Sequence, residues 1–171
     1  TAKQRVIDKT FDQMNLNDEK KKEQEGIYIF SKEHTHHYIT AYRMYLDNLI
    51  IGVGVKNFRK FCSKERYVES ELSCATHPHN NYLQLLSETG SVGFIFLIII
   101  LIYFFKNIII HIRHRLKGNF YFNDFEICIL SGIAIYLWPL IPTGNFFNNW
   151  LNIIMILNLP FFIWSRKSIN T

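Results

Sequence analysis

No basic helix interleaved with aromatic side chains and no RNA-binding signature occurs in this chain, although its formal net charge is +5. The Lys and Arg residues are scattered and partly flank apolar runs, which argues against nucleic acid and for a membrane protein with basic flanks. Glycine is sparse, and Gly52-Val53-Gly54 lacks the third glycine of a dinucleotide fingerprint, since Val55-Lys56-Asn57-Phe58 follows it. It reads as a tight turn where backbone approaches something closely. Three cysteines are present, and the spacing of His34, His36 and His37 fits no familiar zinc pattern, so these histidines read as polar surface in a loop. No basic n-region followed by an apolar h-region opens the chain, which begins at Thr1. Nothing in it explains export of a polar first half, so we expect a fragment.

What is present is uneven. Hydrophobic residues make up 49% of the chain, yet the first half is polar and the second apolar. A run from 93 to about 112 is long enough to span a hydrocarbon core of roughly 30 Å. His111-Ile-Arg-His-Arg-Leu-Lys117 then concentrates positive charge, and the positive-inside bias makes that connection cytoplasmic. A second span is expected over about 125–141, with Gly132 and Ala134 available for helix packing, and a third over about 150–164, with Pro160 as a possible kink. Pro142 to Asn149 is an uncharged turn suited to the outer side. The expected fold is an all-α membrane protein: a polar periplasmic helical loop region over 1–90, then a three-span transmembrane region over 91–171.

Within the polar half, Val6, Ile7, Phe11 and Met14 recur at helical spacing and predict a short amphipathic helix. Residues 15–26, rich in Asp, Glu and Lys, read as a solvated loop. A second helix is expected from about Thr35 to Asp47. Lys56, Arg59, Lys60 and Arg66 follow the glycine turn closely, an arrangement that suits phosphate clamping, or else a plain solvated basic loop. Cys62 and Cys74 are either two free thiols or, on an oxidising face, a disulfide closing a short loop ahead of His77.

The densest polar cluster is Cys74-Ala-Thr-His-Pro-His-Asn-Asn-Tyr-Leu-Gln-Leu-Leu-Ser-Glu-Thr-Gly-Ser-Val-Gly93, set directly against the first apolar run. Pro78 biases His77 toward extended backbone, and Asn80 or Asn81 can cap a helix populated by Tyr82, Leu83, Leu85 and Leu86. His77 and His79 therefore lie at or just before a helix N-terminus, whose partial positive charge favours the neutral ring. Gly90 and Gly93 predict a break or a close approach by another backbone. Glu88, nine residues beyond His79, falls near the opposite helix face and reads as an anchor to a neighbouring loop rather than as an orienter of His79.

His79, Asn80, Leu83, Glu88, Gly90 and Gly93 resemble the shared segment of the O-antigen ligase and polymerase family of bacterial membrane proteins. Tyr38 to Arg59, with its Gly-x-Gly-x-x-x-Phe ending, is similar to that family's loop segment. The resemblance covers about 38–164, and most of the family's membrane helices are missing upstream. It implies transfer of a glycan from undecaprenyl diphosphate to an acceptor hydroxyl at the periplasmic face of the inner membrane, without nucleotide, metal or other cofactor. His79 is then the expected base, and Arg59 the expected diphosphate ligand, with Lys56 and Arg43 behind it. Asn80 is a cap or a sugar contact, and His77 a neighbour of the reacting group. Glu88, Gly90, Gly93, Cys62 and Cys74 are structural. Ligase, polymerase and protein O-oligosaccharyltransferase share these motifs, and the isolated fragment is expected to be inactive. The rival classes are a non-enzymatic membrane interaction module and a periplasmic metal-binding module using His34, His36, His37, His77 and His79.

Overall fold

A computed structural model of the protein describes residues 2–19 and 28–169. Most of the charged loop predicted over 15–26 lies outside the described residues. Regular structure among the described residues is helical throughout: α1 (Ala2–Gln13), α2 (Lys32–Asp47), a short α3 (Phe58–Phe61), a 3-10 turn (Glu71–Ser73), a long α4 (Asn81–Leu116), α5 (Asp124–Tyr136) and α6 (Asn149–Ile169).

The second helix starts earlier than its apolar spacing predicted. Ser31 accepts from the His34 amide and caps α2, so His34, His36 and His37 ride on its first two turns rather than in a loop. Ala41 and Met44 on the same helix join Phe58, Cys62 and Tyr67 in a small buried cluster. A disulfide joins Cys62 to Cys74, with Cα atoms 5.1 Å apart, and ties α3 to the segment leading into the His77–His79 turn.

Helix α4 is broken once. Gly90 sits at φ 65°, ψ −162°, and the break leaves backbone groups on either side without partners in the helix. The turn after α2 supplies them. Val53 and Gly54 donate to the carbonyls of Ser87 and Glu88 (2.8 and 2.9 Å), while Ser91 and Val92 donate to those of Leu49 and Ile50 (2.7 and 3.1 Å). The crossing is so close that a Cβ on Gly52 would lie 2.5 Å from the Glu88 carbonyl carbon, and one on Gly90 would lie 2.3 Å from the Ile50 oxygen. The two glycine positions singled out separately in the sequence thus serve one crossing.

Beyond Gly90, α4 is long and apolar enough to cross a membrane, and only 17% of its most apolar window is buried. That exposure separates it from the core helix of a soluble protein. It is the one such helix among the described residues. The second predicted span is instead a 13-residue helix, well short of the ~20 residues a crossing requires, because the chain leaves helical geometry at Leu137 ahead of Pro139. The third is a 21-residue helix containing Pro160. Leu97, Phe104, Phe122, Ile129, Ile133 and Phe162 pack these three helices together.

Candidate functional site

The sequence places polar residues at helical spacing on the first turns of α4: Asn81, Gln84 and Glu88. All three are buried, Glu88 to 1% exposure. Burying polar groups requires partners, and two loops provide them. Glu88 accepts from the Phe58 amide through Oε1 (2.9 Å) and from Gln84 Nε2 through Oε2 (3.1 Å). Gln84 also donates to Asn145 Oδ1 (2.9 Å) and accepts from the Phe146 amide (2.9 Å). Thr143 donates through its hydroxyl to Asn81 Oδ1 (2.9 Å). The loop between α5 and α6 is thereby folded over the start of α4, which the sequence showed only as an uncharged turn rich in Asn.

Asn80 caps α4, accepting from Tyr82 N and Leu83 N (3.0 and 3.1 Å), and its amide donates to the Pro139 carbonyl (2.9 Å). The cap is bought at His79, which precedes it and takes φ 55°. A non-glycine residue in left-handed geometry costs of order 1–2 kcal/mol. The Thr143 amide secures that turn by donating to the His79 carbonyl (2.9 Å).

Around His79 stand three further imidazoles. Its ring centroid lies 4.1 Å from that of His77, 5.4 Å from His34 and 5.6 Å from His37, which stacks on it. His77 is pinned through Nδ1 to the Thr76 hydroxyl (2.9 Å) and through Nε2 to the Thr143 carbonyl (3.2 Å). Burial, then the mutual repulsion of the neighbouring imidazoles, holds His79 below the ordinary imidazole range, against an upward pull from Glu33 and from the Thr143 backbone. Burial also lowers His77, while the Thr143 backbone and Glu88 oppose the shift. The same two causes, with burial the larger, push His37 down to about 4. Burial thus favours the neutral form of all three rings, and crowding by neighbouring imidazoles adds to it at His79 and His37. The sequence grouped His37 with His79 only as a metal ligand of the rival module, and its place on α2 gives no hint that it stacks on residue 79. Among the described residues no three or more His, Cys, Asp or Glu side chains converge into a metal-holding set.

Beside this cluster, Lys56, Arg59, Thr76, Asn145 and Asn148 line an open cleft of about 320 Å³. Lys56 reaches it from a left-handed turn at φ 60°, and Arg59 from α3. Neither has a carboxylate partner among the described residues. Arg43 is occupied elsewhere, ion-paired with Glu69 and donating to the Val68 carbonyl (3.1 Å). Thr76 connects the two halves of the site, lining the cleft while bonding His77. A lone-pair base next to an anion-ready cleft suits transfer chemistry in which a hydroxyl is deprotonated and an anion departs.

Residues 14–98, about half of the chain, match the family model described as O-antigen ligase. The chain belongs to the O-antigen ligase family. No curated protein and no solved structure matches it. Membership gives this O-antigen ligase domain a glycan-transfer role in polysaccharide biosynthesis, in a family associated with membranes and with membrane glycosyltransferase activity. The matched residues include the imidazole cluster, the disulfide, Lys56, Arg59 and the Gly52–Gly90 crossing, and end eight residues beyond the kink. The loop carrying Thr143 and Asn145 lies outside them.

Proposed function

We propose that the protein transfers a glycan from undecaprenyl diphosphate to an acceptor hydroxyl, in the manner of an O-antigen ligase, at the periplasmic face of a bacterial inner membrane. The observation that carries this reading is the half-buried His79 imidazole, held below its ordinary proton affinity beside a cleft furnished with Lys56 and Arg59. His79 takes the proton from the acceptor O–H as that oxygen attacks the anomeric carbon. The bond from the anomeric carbon to the diphosphate oxygen breaks, and the electron pair leaves with the diphosphate, whose charge Arg59 and Lys56 offset. His77 and Asn80 hold the turn that presents His79, while Arg43, engaged by Glu69 and the Val68 carbonyl, ranks behind Arg59 and Lys56 as a diphosphate ligand.

Sidedness supports the same assignment. Arg113, His114 and Arg115 crowd the last turn of α4, where positive charge favours the cytoplasmic side. The opposite end, with His79, then faces outward, where carrier-linked sugars are available and where a disulfide persists. In cells making the protein, His79→Ala is expected to abolish glycan transfer with membrane levels unchanged. Transfer retained at the wild-type rate would remove His79 from the mechanism.

A further inference from the structure

The polar half of the chain contains a conspicuously apolar tip. Leu49, Ile50 and Ile51 form the turn after α2, and Ile50 and Ile51 are 70% and 73% exposed. Leu46 before them and Val55 after them are exposed as well. A soluble surface rarely carries such a contiguous patch without a partner.

The structure also sets where this tip sits. Leu49 and Ile50 accept hydrogen bonds from Ser91 and Val92, so the tip lies against the first turn of α4 after its break. Val92, Ile95 and Phe96 on that stretch are themselves exposed, and the apolar surface of the tip is continuous with that of the rod. Part of its backbone is already satisfied: the Leu49 and Ile50 carbonyls accept from α4, and Gly52, next in the chain, donates to Asn48. With only part of its backbone paired, the segment suits shallow insertion at the headgroup–acyl boundary rather than the hydrocarbon centre. Lys56, Arg59 and Lys60 follow at once, as basic residues do where a segment leaves the acyl region for the headgroups.

We propose that residues 49–51, flanked by Leu46 and Val55, insert at the headgroup–acyl boundary of the bilayer beside α4 as a second, monotopic anchor. This rests on α4 being a membrane rod. The anchor fixes the height of the cleft, because Lys56 and Arg59 are carried by the same short stretch and are held at headgroup level, where a lipid-linked diphosphate lies.

The test uses Cys128→Ser chain with the Cys62–Cys74 disulfide intact, reconstituted in vesicles of phosphatidylethanolamine and phosphatidylglycerol. A single fluorophore is placed at Ile51→Cys, Glu65→Cys or Ile99→Cys. Quenching is read from a lipid bearing a nitroxide near the headgroup end of its acyl chain, and from aqueous iodide. The tip site is expected to show at least about twice the lipid quenching of the residue 65 site, with weak iodide quenching. Iodide quenching at residue 51 equal to that at residue 65, with residue 99 lipid-quenched, overturns the anchor and leaves the membrane rod standing. Residues 51 and 99 both open to iodide would overturn the rod as well. A residue 51 label shielded from both quenchers would place the tip in a protein contact and also overturn the anchor.

Discussion

Replacing Gly52 by alanine tests whether the loop–helix crossing organises the site. The added Cβ would stand 2.5–2.7 Å from Glu88 C, Thr89 N and Gly90 N, all of them backbone atoms that cannot rotate away. Positive φ at residue 52 costs about 1–2 kcal/mol for alanine before any clash. Relieving the clash pushes the turn off α4 and weakens the four hydrogen bonds of the crossing; losing two of them adds about 1–3 kcal/mol. The expected total is about 2–5 kcal/mol, read from thermal unfolding in detergent. Amide exchange at Val53, Gly54, Ser91 and Val92 should accelerate together. Two substitutions calibrate the result. Gly118→Ala shares positive φ but meets nothing within 4 Å, so it carries the backbone cost alone, while helical Gly132→Ala also meets nothing and should be neutral or slightly stabilising. If Gly52→Ala were no more damaging than Gly118→Ala, the crossing would not be holding the two segments together.

Other consequences are open to measurement. Glu88→Ala strands the Phe58 amide and the Gln84 amide group in a buried site, for a loss of about 2–4 kcal/mol, whereas Glu88→Gln keeps an acceptor and should lose less; chemical denaturation ranks the two. Reducing the Cys62–Cys74 bridge removes a constraint across a separation of 12 residues, about 3 kcal/mol by loop-closure entropy, visible as a lower melting temperature in dithiothreitol. His37 is neutral in the folded chain down to about 4 but titrates near 6.5 when unfolded. The unfolded state therefore binds the extra proton between those values, so stability is full above 6.5 and falls as pH drops toward 4, by at most about 3 kcal/mol. Because burial, and after it crowding by His77 and His34, lowers His79, the acid limb of transfer activity should lie below the ordinary imidazole range, and His34→Asn should move it part of the way to higher pH; an unmoved pH–rate profile would remove that repulsion from the account.

Local chemistry was legible along the chain. Asn80 announces a cap, the Gly90 position announces a break, and the run after Gly93 announces a lipid-compatible helix, because each is decided by groups within one or two turns of itself. Span counting was less secure. Residues 125–141 are apolar enough to suggest a crossing, but hydropathy does not register that Leu137 leaves helical geometry before Pro139. The helix carrying His34, His36 and His37 began earlier than its apolar spacing indicated, since a serine cap rather than a hydrophobic stripe starts it.

The sequence by itself determined the Asn80 cap, the break near Gly90 and the long apolar run after Gly93, for these follow from residue type and short-range geometry. Only the tertiary structure decided that Gly52 and Gly90 meet, that His37 stacks on His79, that Arg43 is engaged by Glu69 while Arg59 faces a cleft, and that Thr143 and Asn145 close over the start of α4. Those are pairings across tens of residues, chosen by which buried polar groups and backbone ends could satisfy one another, and no local pattern carries that choice.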